Sequence, residues 1–151
     1  MIVGRIDPIA WRPFIDGYIE IPSLKVSGFV QFLMDTGSDD TVLMPADAQR
    51  LKVDYTAITK TDESIGSAGA SLDYIARAIV IIQEPDTATH LYEIDLRLPA
   101  YDPKKPELMI PPSLIGRDIL SRWRITFDGH RSVTAEVISS DRKFPWGGKG
   151  P

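Results

Sequence analysis

The stretch FVQFLMDTGSDDTVL, residues 29–43, passes abruptly from apolar to polar at Asp35. An apolar strand therefore runs directly into Asp35, and the carboxylate lies where buried strand becomes loop. Gly37 lets the backbone turn tightly and leaves space beside the carboxylate, while Thr36 and Ser38 offer hydroxyl donors. Such a loop can hold a charged aspartate for chemistry. The alternative is an ordinary Asx-type turn at the end of a strand.

A second segment far downstream, SLIGRDIL at residues 113–120, places two large apolar residues before a glycine and a short helix. Together with DTGSDDTVL at residues 35–43, it resembles the retropepsin family, the retroviral proteases and their cellular and bacterial relatives. The resemblance covers roughly Phe14 to Val137. It implies an all-β fold, a closed β-barrel that forms one half of an acid protease and carries one or two short helices. In that fold the two segments pack together as a ψ-shaped loop beneath the catalytic aspartate.

The resemblance also implies roles for individual residues of both segments. The expected catalytic residues are Asp35, Thr36 and Gly37, with Thr36 bonding across a dimer axis. The residues expected to line substrate subsites are Ser38, Asp39 and Asp40, and those expected to support the site are Leu114, Ile115, Gly116 and Arg117. Arg117 falls where the family pairs an arginine with the first of the two aspartates. Outside this family context each charge would be interpreted as solvated surface.

The stretch IGSAGA at residues 65–70 occupies the place of the family's glycine-rich flap, a hairpin that closes over bound peptide. Small residues let backbone amides approach a ligand, so substrate contacts are expected from Gly66, Ser67, Ala68 and Gly69. Ala68 replaces the bulkier apolar tip residue common in viral enzymes, and the stretch from Asp35 to the flap is longer. A plain flexible turn is the alternative.

Hydrophobic patterning predicts a mostly antiparallel β domain. Hairpins are expected from residues 14–21 with 29–34, from 72–83 with 90–98, and from 124–127 with 132–138, the last around Asp128-Gly129. Short helices are expected at Pro45–Leu51 and Arg117–Trp123. We expect one domain over residues 1–143, followed by a flexible tail rich in glycine and proline over 144–151.

Composition narrows the functional classes. The 151 residues carry a net charge of −4 with scattered basic residues, so nucleic acid is not an expected partner. The sequence contains no run of about 18 apolar residues, the length that a membrane-spanning helix needs, so no membrane segment is expected. The absence of cysteine and of a signal-peptide pattern favours the cytoplasm. His90 and His130 are read as lone surface histidines, and neither a metal nor a cofactor is expected.

The sequence contains one Asp-Thr-Gly and no Asp-Ser-Gly, whereas peptide hydrolysis of this type needs two carboxylates sharing a proton. A two-fold homodimer that places Asp35 against its symmetry mate supplies the second. The predicted function is an aspartic endopeptidase acting on extended peptide or protein substrates. We also expect the Ser38 hydroxyl to donate to ionised Asp35, which favours its charged form and moves the activity optimum toward acid.

Two other functions compete with this prediction. The first is a catalytically idle module of the same fold that dimerises and holds extended peptides, although the intact Asp35-Thr36-Gly37 motif argues against it. The second is a structural β-barrel in which both motifs are coincidental. The two motifs occur in the order that the family requires, and this favours the endopeptidase.

Overall fold

The computed structural model describes residues 1–66, 69–85 and 87–145, and most of them lie in strands. The strands are β1 (Ile2–Val3), β2 (Arg5–Ile6), β3 (Pro13–Ile21), β4 (Val26–Met34), β5 (Thr61–Gly66), β6 (Gly69–Gln83), β7 (Ala88–Pro99), β8 (Leu114–Ile115), β9 (Trp123–Asp128), β10 (Ser132–Val137) and β11 (Arg142–Pro145). The α-helices in these ranges are α1 (Pro45–Arg50) and α2 (Arg117–Leu120), and neither is long and apolar enough to cross a membrane. The prediction of an all-β fold with short helices is confirmed.

All three predicted hairpins are present as antiparallel pairs, β3 with β4, β6 with β7, and β9 with β10. The first turn is tighter than expected. A single 3₁₀ turn at Pro22–Leu24 ends at Lys25, whose positive φ of 53° reverses the chain. Strand β4 therefore begins at Val26, three residues before the start that its apolar run predicted.

The second helix is shorter than the predicted Arg117–Trp123, because Trp123 belongs to a strand. Trp123 opens β9 and pairs with Val137, and its indole N–H donates to the buried Tyr92 hydroxyl at 2.7 Å. A buried tryptophan needs a partner for its N–H, and this contact satisfies it. Burial against Tyr92 therefore ends α2 at Leu120.

The last described strand includes the first two residues of the predicted tail. Phe144 and Pro145, expected to open a loose tail, are the last residues of β11 and pair with Thr89 and Ala88 of β7. Residues 146–151 of the predicted tail lie outside the described residues. Phe144 and Pro145 thus belong to a strand, while the boundary of the domain stays a prediction.

One residue closes the main sheet into a ring. Its ladders run β11-β7-β6-β3-β4-β8, with β2 beside β3 and β5 beside β6. Val42 then bridges to Leu114 of β8 on one side and to Arg97 of β7 on the other. A small second sheet, β1-β10-β9, packs its Ile2, Val133 and Ala135 into the same hydrophobic core. The expected closed barrel is present, and Val42 is the link that completes it.

Strand β7 has one face on the hydrophobic core and the other toward the outside. Its residues alternate strictly, with Tyr92, Leu96 and Leu98 buried and the residues between them more exposed. This is the period-two pattern of a strand with one face on the core. His90 lies on the buried face, so the expectation of a surface position for it was wrong.

His90 is satisfied by a polar corner at the β6–β7 turn. Its Nε2 lies 2.9 Å from Glu84 Oε1, and its Nδ1 lies 3.1 Å from Ser140 Oγ. The other Glu84 oxygen accepts from the Thr87 hydroxyl and from the Met1 ammonium. Burial raises the pKa of Glu84, but these hydrogen bonds outweigh burial and lower its pKa to about 2.

Strand β8 is threaded between β4 and Val42. It runs parallel to β4 through Leu33↔Leu114, while Leu114 exchanges two backbone hydrogen bonds with Val42. Gly116, the next residue after β8, passes against the loop that joins β4 to Val42. A Cβ built on Gly116 would lie within 3.0 Å of the backbone N, C and O of Asp40. Space, rather than an unusual φ, therefore requires glycine at 116.

We expect Gly116→Ala to destabilise the fold by at least about 1–3 kcal/mol, because the added methyl group meets backbone that cannot rotate away. Chemical denaturation followed by tryptophan fluorescence measures the free energy of unfolding. Gly129→Asn is the matched control: nothing lies within 4 Å of its Cβ position, and asparagine tolerates its φ of +49°. Equal stability of the two variants would contradict the close approach of Gly116 to Asp40.

We expect Glu84→Gln to lower the free energy of unfolding by about 1–3 kcal/mol at neutral pH, because charge-assisted hydrogen bonds are lost. A depressed pKa gives stability that is present above the unfolded value near 4.5 and lost as pH falls toward about 2. The gap between wild type and variant should therefore narrow over that interval. Denaturation curves across it check this, with the exposed Glu136→Gln as control; a gap independent of pH would contradict the prediction.

Candidate active site

Asp35 is the first residue after β4 and is bonded to β8. Its backbone N–H donates to the Ile115 carbonyl of β8 at 3.1 Å. Its side chain is partly buried, and Oδ1 accepts the Gly37 backbone N–H at 2.9 Å. A Cβ on Gly37 would approach that oxygen to 3.1 Å. The expected role of Gly37 in leaving space beside the carboxylate fits this geometry.

Ser38 does not serve the Asp35 carboxylate. Its hydroxyl donates to the Asp40 carbonyl at 2.6 Å, and its backbone N–H donates to the Asp35 carbonyl at 3.2 Å. A hydroxyl has one hydrogen to donate, and this turn uses it. The expected hydrogen bond from the Ser38 hydroxyl to Asp35 was therefore wrong, and the carboxylate accepts the Gly37 backbone N–H instead.

Thr41 and Asp118 join the two motif segments through side chains. The backbone N–H of Thr41 donates to Asp118 Oδ2 at 2.9 Å, and its hydroxyl donates to Oδ1 at 2.7 Å. The same hydroxyl oxygen accepts the Gly116 N–H at 3.2 Å. Burial raises the pKa of Asp118, and the bonds from Thr41 oppose that shift. Thr41 is wholly buried, so this contact fixes the loop from within.

Sequence reasoning quoted both residues as part of motifs but gave them no role. A signal was available, because Thr41 is a polar residue directly before the apolar pair Val42-Leu43, and Asp118 lies in the first turn of a short helix. Buried polar residues in such positions need partners. Their pairing could have been inferred once the two segments were expected to pack together.

Arg117 bonds three residues of the loop, Thr36, Ser38 and Asp39, through its side chain and backbone. It forms the ion pair with Asp39 that the resemblance implied, and its second guanidinium nitrogen donates to the Thr36 carbonyl at 2.6 Å. Its backbone N–H also donates to the Ser38 carbonyl at 2.9 Å. Because Asp39 is exposed, the ion pair alone contributes little stability. The bonds to backbone carbonyls are what hold residues 36–38 in shape.

Asp40 is held by an arginine that sequence reasoning missed. Arg97 of β7 donates from Nε to Asp40 Oδ2 at 2.8 Å, and its two terminal nitrogens reach Asp62 at 2.7 Å and Asp73 at 3.1 Å. The hydrogen bond from Arg97 lowers the pKa of Asp62. The alternation Leu96-Arg97-Leu98 predicts only that Arg97 leaves the core. Nothing local in the sequence indicates its three partners.

The predicted flap falls on the hairpin of β5 and β6. The two strands pair from Thr61↔Tyr74 to Gly66↔Gly69, so the expected glycines face each other across the ladder. Ser67 and Ala68, the other two predicted contact residues, lie outside the described residues. Ile65, next to the end of β5, is 89% exposed. The hairpin is thus attached to the barrel through β6, and Arg97 ties its strands to Asp40.

The structure therefore brings most of the predicted site residues to one end of the barrel. Residues 35–40 and 114–117 are in direct contact through backbone and side-chain hydrogen bonds. In the described ranges no group of three His, Cys, Asp or Glu side chains could hold a metal ion. Within residues 35–40, Asp39 and Asp40 have arginine partners, and Asp35 is the carboxylate for which the described residues show no ion pair.

Comparison with known proteins bears on the fold. No protein-family model and no curated protein matches the chain. Among solved structures, the chain is similar to a retropepsin-like aspartic protease from Rickettsia conorii, with 20% identity and a TM-score of 0.59 over 89% of this chain and 97% of that one.

It is also similar to EIAV protease complexed with the inhibitor HBY-793, with 19% identity and a TM-score of 0.48 over 76% of this chain and 90% of that one. The Rickettsia conorii match covers most of this chain and nearly the whole length of the other protein. The chain therefore has a retropepsin-like fold.

Proposed function

We propose that the chain is one subunit of a homodimeric aspartic endopeptidase, in which Asp35 of each copy supplies one carboxylate of a catalytic dyad. The observation that carries the proposal is the setting of Asp35. Its backbone is bonded to β8, its carboxylate accepts a backbone N–H, and Gly37 leaves the space beside it free. The retropepsin-like fold supports the same reading of the site.

The proposed chemistry needs two carboxylates that share one proton. One acts as the base that activates a water molecule, and the other acts as the acid toward the peptide carbonyl. Two like charges a few ångströms apart do not both ionise readily, so a shared proton is the favoured state of such a pair. Since the sequence holds a single Asp-Thr-Gly, the second carboxylate comes from a second copy.

The dimer proposal also gives a role to the residues around Asp35. The side chain of Thr36 is exposed while Arg117 holds its carbonyl, so the Thr36 hydroxyl is available to bond across the two-fold axis. Leu114, Ile115 and Gly116 support the loop from below through the β4–β8 pairing and the close approach to Asp40. The subunit interface would therefore be built on a loop that many hydrogen bonds hold in place.

The proposed substrate is an extended peptide bound between the Asp35 loop and the β5–β6 hairpin. Backbone groups of Gly66 and Gly69 would bond it as an added strand, as peptides commonly bind to exposed strand edges. The exposed Asp39 and the half-exposed Asp40 would border the subsites on the loop side. Both carboxylates already have arginine partners, so neither is free to move toward Asp35.

We expect Asp35→Asn to abolish peptide hydrolysis while leaving the fold and dimerisation intact, because an amide of nearly equal volume cannot act as base or acid. Cleavage of a peptide library read by mass spectrometry measures activity, and sedimentation measures assembly. The exposed Asp95→Asn is the matched control and should retain full activity. Hydrolysis surviving in the folded Asp35 variant would contradict the assignment, whereas a dimeric wild type that binds but never cleaves would favour the idle peptide-binding module.

We expect specific activity to fall on dilution in step with dissociation, since a monomer holds half of the dyad. Activity and sedimentation velocity measured over the same concentration series test this. An excess of the Asp35→Asn chain should also poison the wild type by forming mixed dimers with a single competent carboxylate. Constant specific activity in a sample shown to be monomeric would contradict the dimeric mechanism.

A further inference from the structure

Arg97 is fixed by its backbone at the point where the barrel closes. Its N–H donates to the Thr41 carbonyl at 3.1 Å, and its carbonyl accepts the Leu43 N–H at 2.9 Å. These two bonds form the bridge to Val42, which in turn pairs with Leu114. Arg97 therefore starts from a rigid position directly beside the loop that carries Asp35.

From that position the Arg97 side chain contacts three separate parts of the site. Nε donates to Asp40, five residues after Asp35, and the two terminal nitrogens donate to Asp62 of β5 and Asp73 of β6. Asp62 and Asp73 are register partners in the β5–β6 hairpin. One guanidinium group thus joins the loop to both strands of the hairpin.

Burial and geometry make this cluster different from an ordinary surface ion pair. The side chain of Arg97 is 21% exposed and that of Asp73 is 6% exposed, so water screens their contact weakly. Each of the three guanidinium nitrogens bonds a different carboxylate, an arrangement that suits the rigid planar fork of arginine and that a lysine ammonium cannot span. The three carboxylates also raise the pKa of Arg97, which keeps it charged.

Arg77 on β6 provides the comparison within the same sheet. It bonds a single carboxylate, Asp95, at 3.4 Å, and both side chains are more than 60% exposed. Such a pair contributes little to stability or position. The contrast indicates that the Arg97 cluster holds parts of the site together, whereas the Arg77 pair does not.

We propose that Arg97 is a positioning residue that fixes the β5–β6 hairpin relative to the Asp35 loop. Asp62 lies on the outer strand of the hairpin, whereas the inner strand β6 continues into the barrel and pairs with β7 from Asp73↔Pro99 onward. Arg97 supplies the contact between that outer strand and Asp40. The mechanical link stands independently of enzymatic activity, whereas its effect on substrate binding rests on the function proposed above.

Hydrogen exchange of backbone amides tests the mechanical link without any assay of activity. In Arg97→Met and in Asp62→Asn, amides of residues 61–66 should exchange about tenfold faster than in the wild type, because a charge-assisted contact to the outer strand is lost. Amides of β3 and β4 should be unchanged. Arg77→Met is the matched control and should leave exchange in the hairpin at the wild-type rate. If Arg97→Met does not fold, Asp62→Asn still tests the link, because it removes only the charge of the exposed partner of Arg97.

Steady-state kinetics tests the effect on substrate binding. In Asp62→Asn, KM for a peptide should rise about tenfold with little change in kcat, because the hairpin is displaced while the two Asp35 carboxylates of the proposed dyad are unchanged. A merely structural defect would instead lower the concentration of active enzyme, and hence apparent kcat. Arg97→Lys keeps the charge but reaches fewer carboxylates, so its KM should lie between those of wild type and Arg97→Met.

The outcomes separate this inference from the proposed function. Faster exchange in the hairpin together with a rise in KM supports both. Faster exchange in a protein that hydrolyses no peptide supports the link and overturns the endopeptidase. Exchange at the wild-type rate in both Asp62→Asn and Arg97→Met overturns the positioning role, whatever the activity.

Discussion

The rest of the structure depends on the backbone bonds of Val42. This residue stands between Leu114 and Arg97, and it completes the ring of strands that surrounds the core. The chain can reach Val42 from the end of β4 only by passing over β8, so residues 35–41 must form a tight loop at that end of the barrel. A loop confined in this way presents Asp35 in one orientation. The location of the candidate site is therefore a consequence of how the barrel closes.

Two arginines then hold the loop from opposite sides, and neither acts mainly through charge attraction at the surface. Arg117 donates hydrogen bonds to the backbone carbonyls of Thr36 and Ser38. Arg97 bonds Asp40 and both strands of the β5–β6 hairpin. Between them, the buried pair of Thr41 and Asp118 satisfies polar groups that the crossing removes from water. Interactions of this kind give a loop the rigidity that an ordinary connection lacks, and the proposed pairing of Asp35 with its symmetry mate would need that rigidity.

The sequence predicted those parts of the molecule that depend on local pattern. Hairpins, the strand ending at Asp35 and the pairing of Arg117 with Asp39 follow from periodicity, from a turn signal or from motif resemblance. Contacts set by three-dimensional packing were missed or misjudged. The Ser38 hydroxyl donates to the Asp40 carbonyl, and Trp123 lies in a strand and packs against Tyr92. His90 is buried, and Arg97 bonds carboxylates that are distant in the sequence. Each of these depends on which acceptor or apolar surface the closed barrel brings near.

The threading of β8 also bears on when the site can come into existence. Contacts between the Asp35 loop and the segment around Gly116 join residues that lie 75 to 81 positions apart in the chain. Closing so long a loop is slow, because the chain loses conformational entropy before the stabilising contacts form. During synthesis, the loop stays unsupported until the segment around Arg117 has left the ribosome. A truncated or still-emerging chain would therefore hold the Asp-Thr-Gly motif without the geometry that the complete barrel gives it.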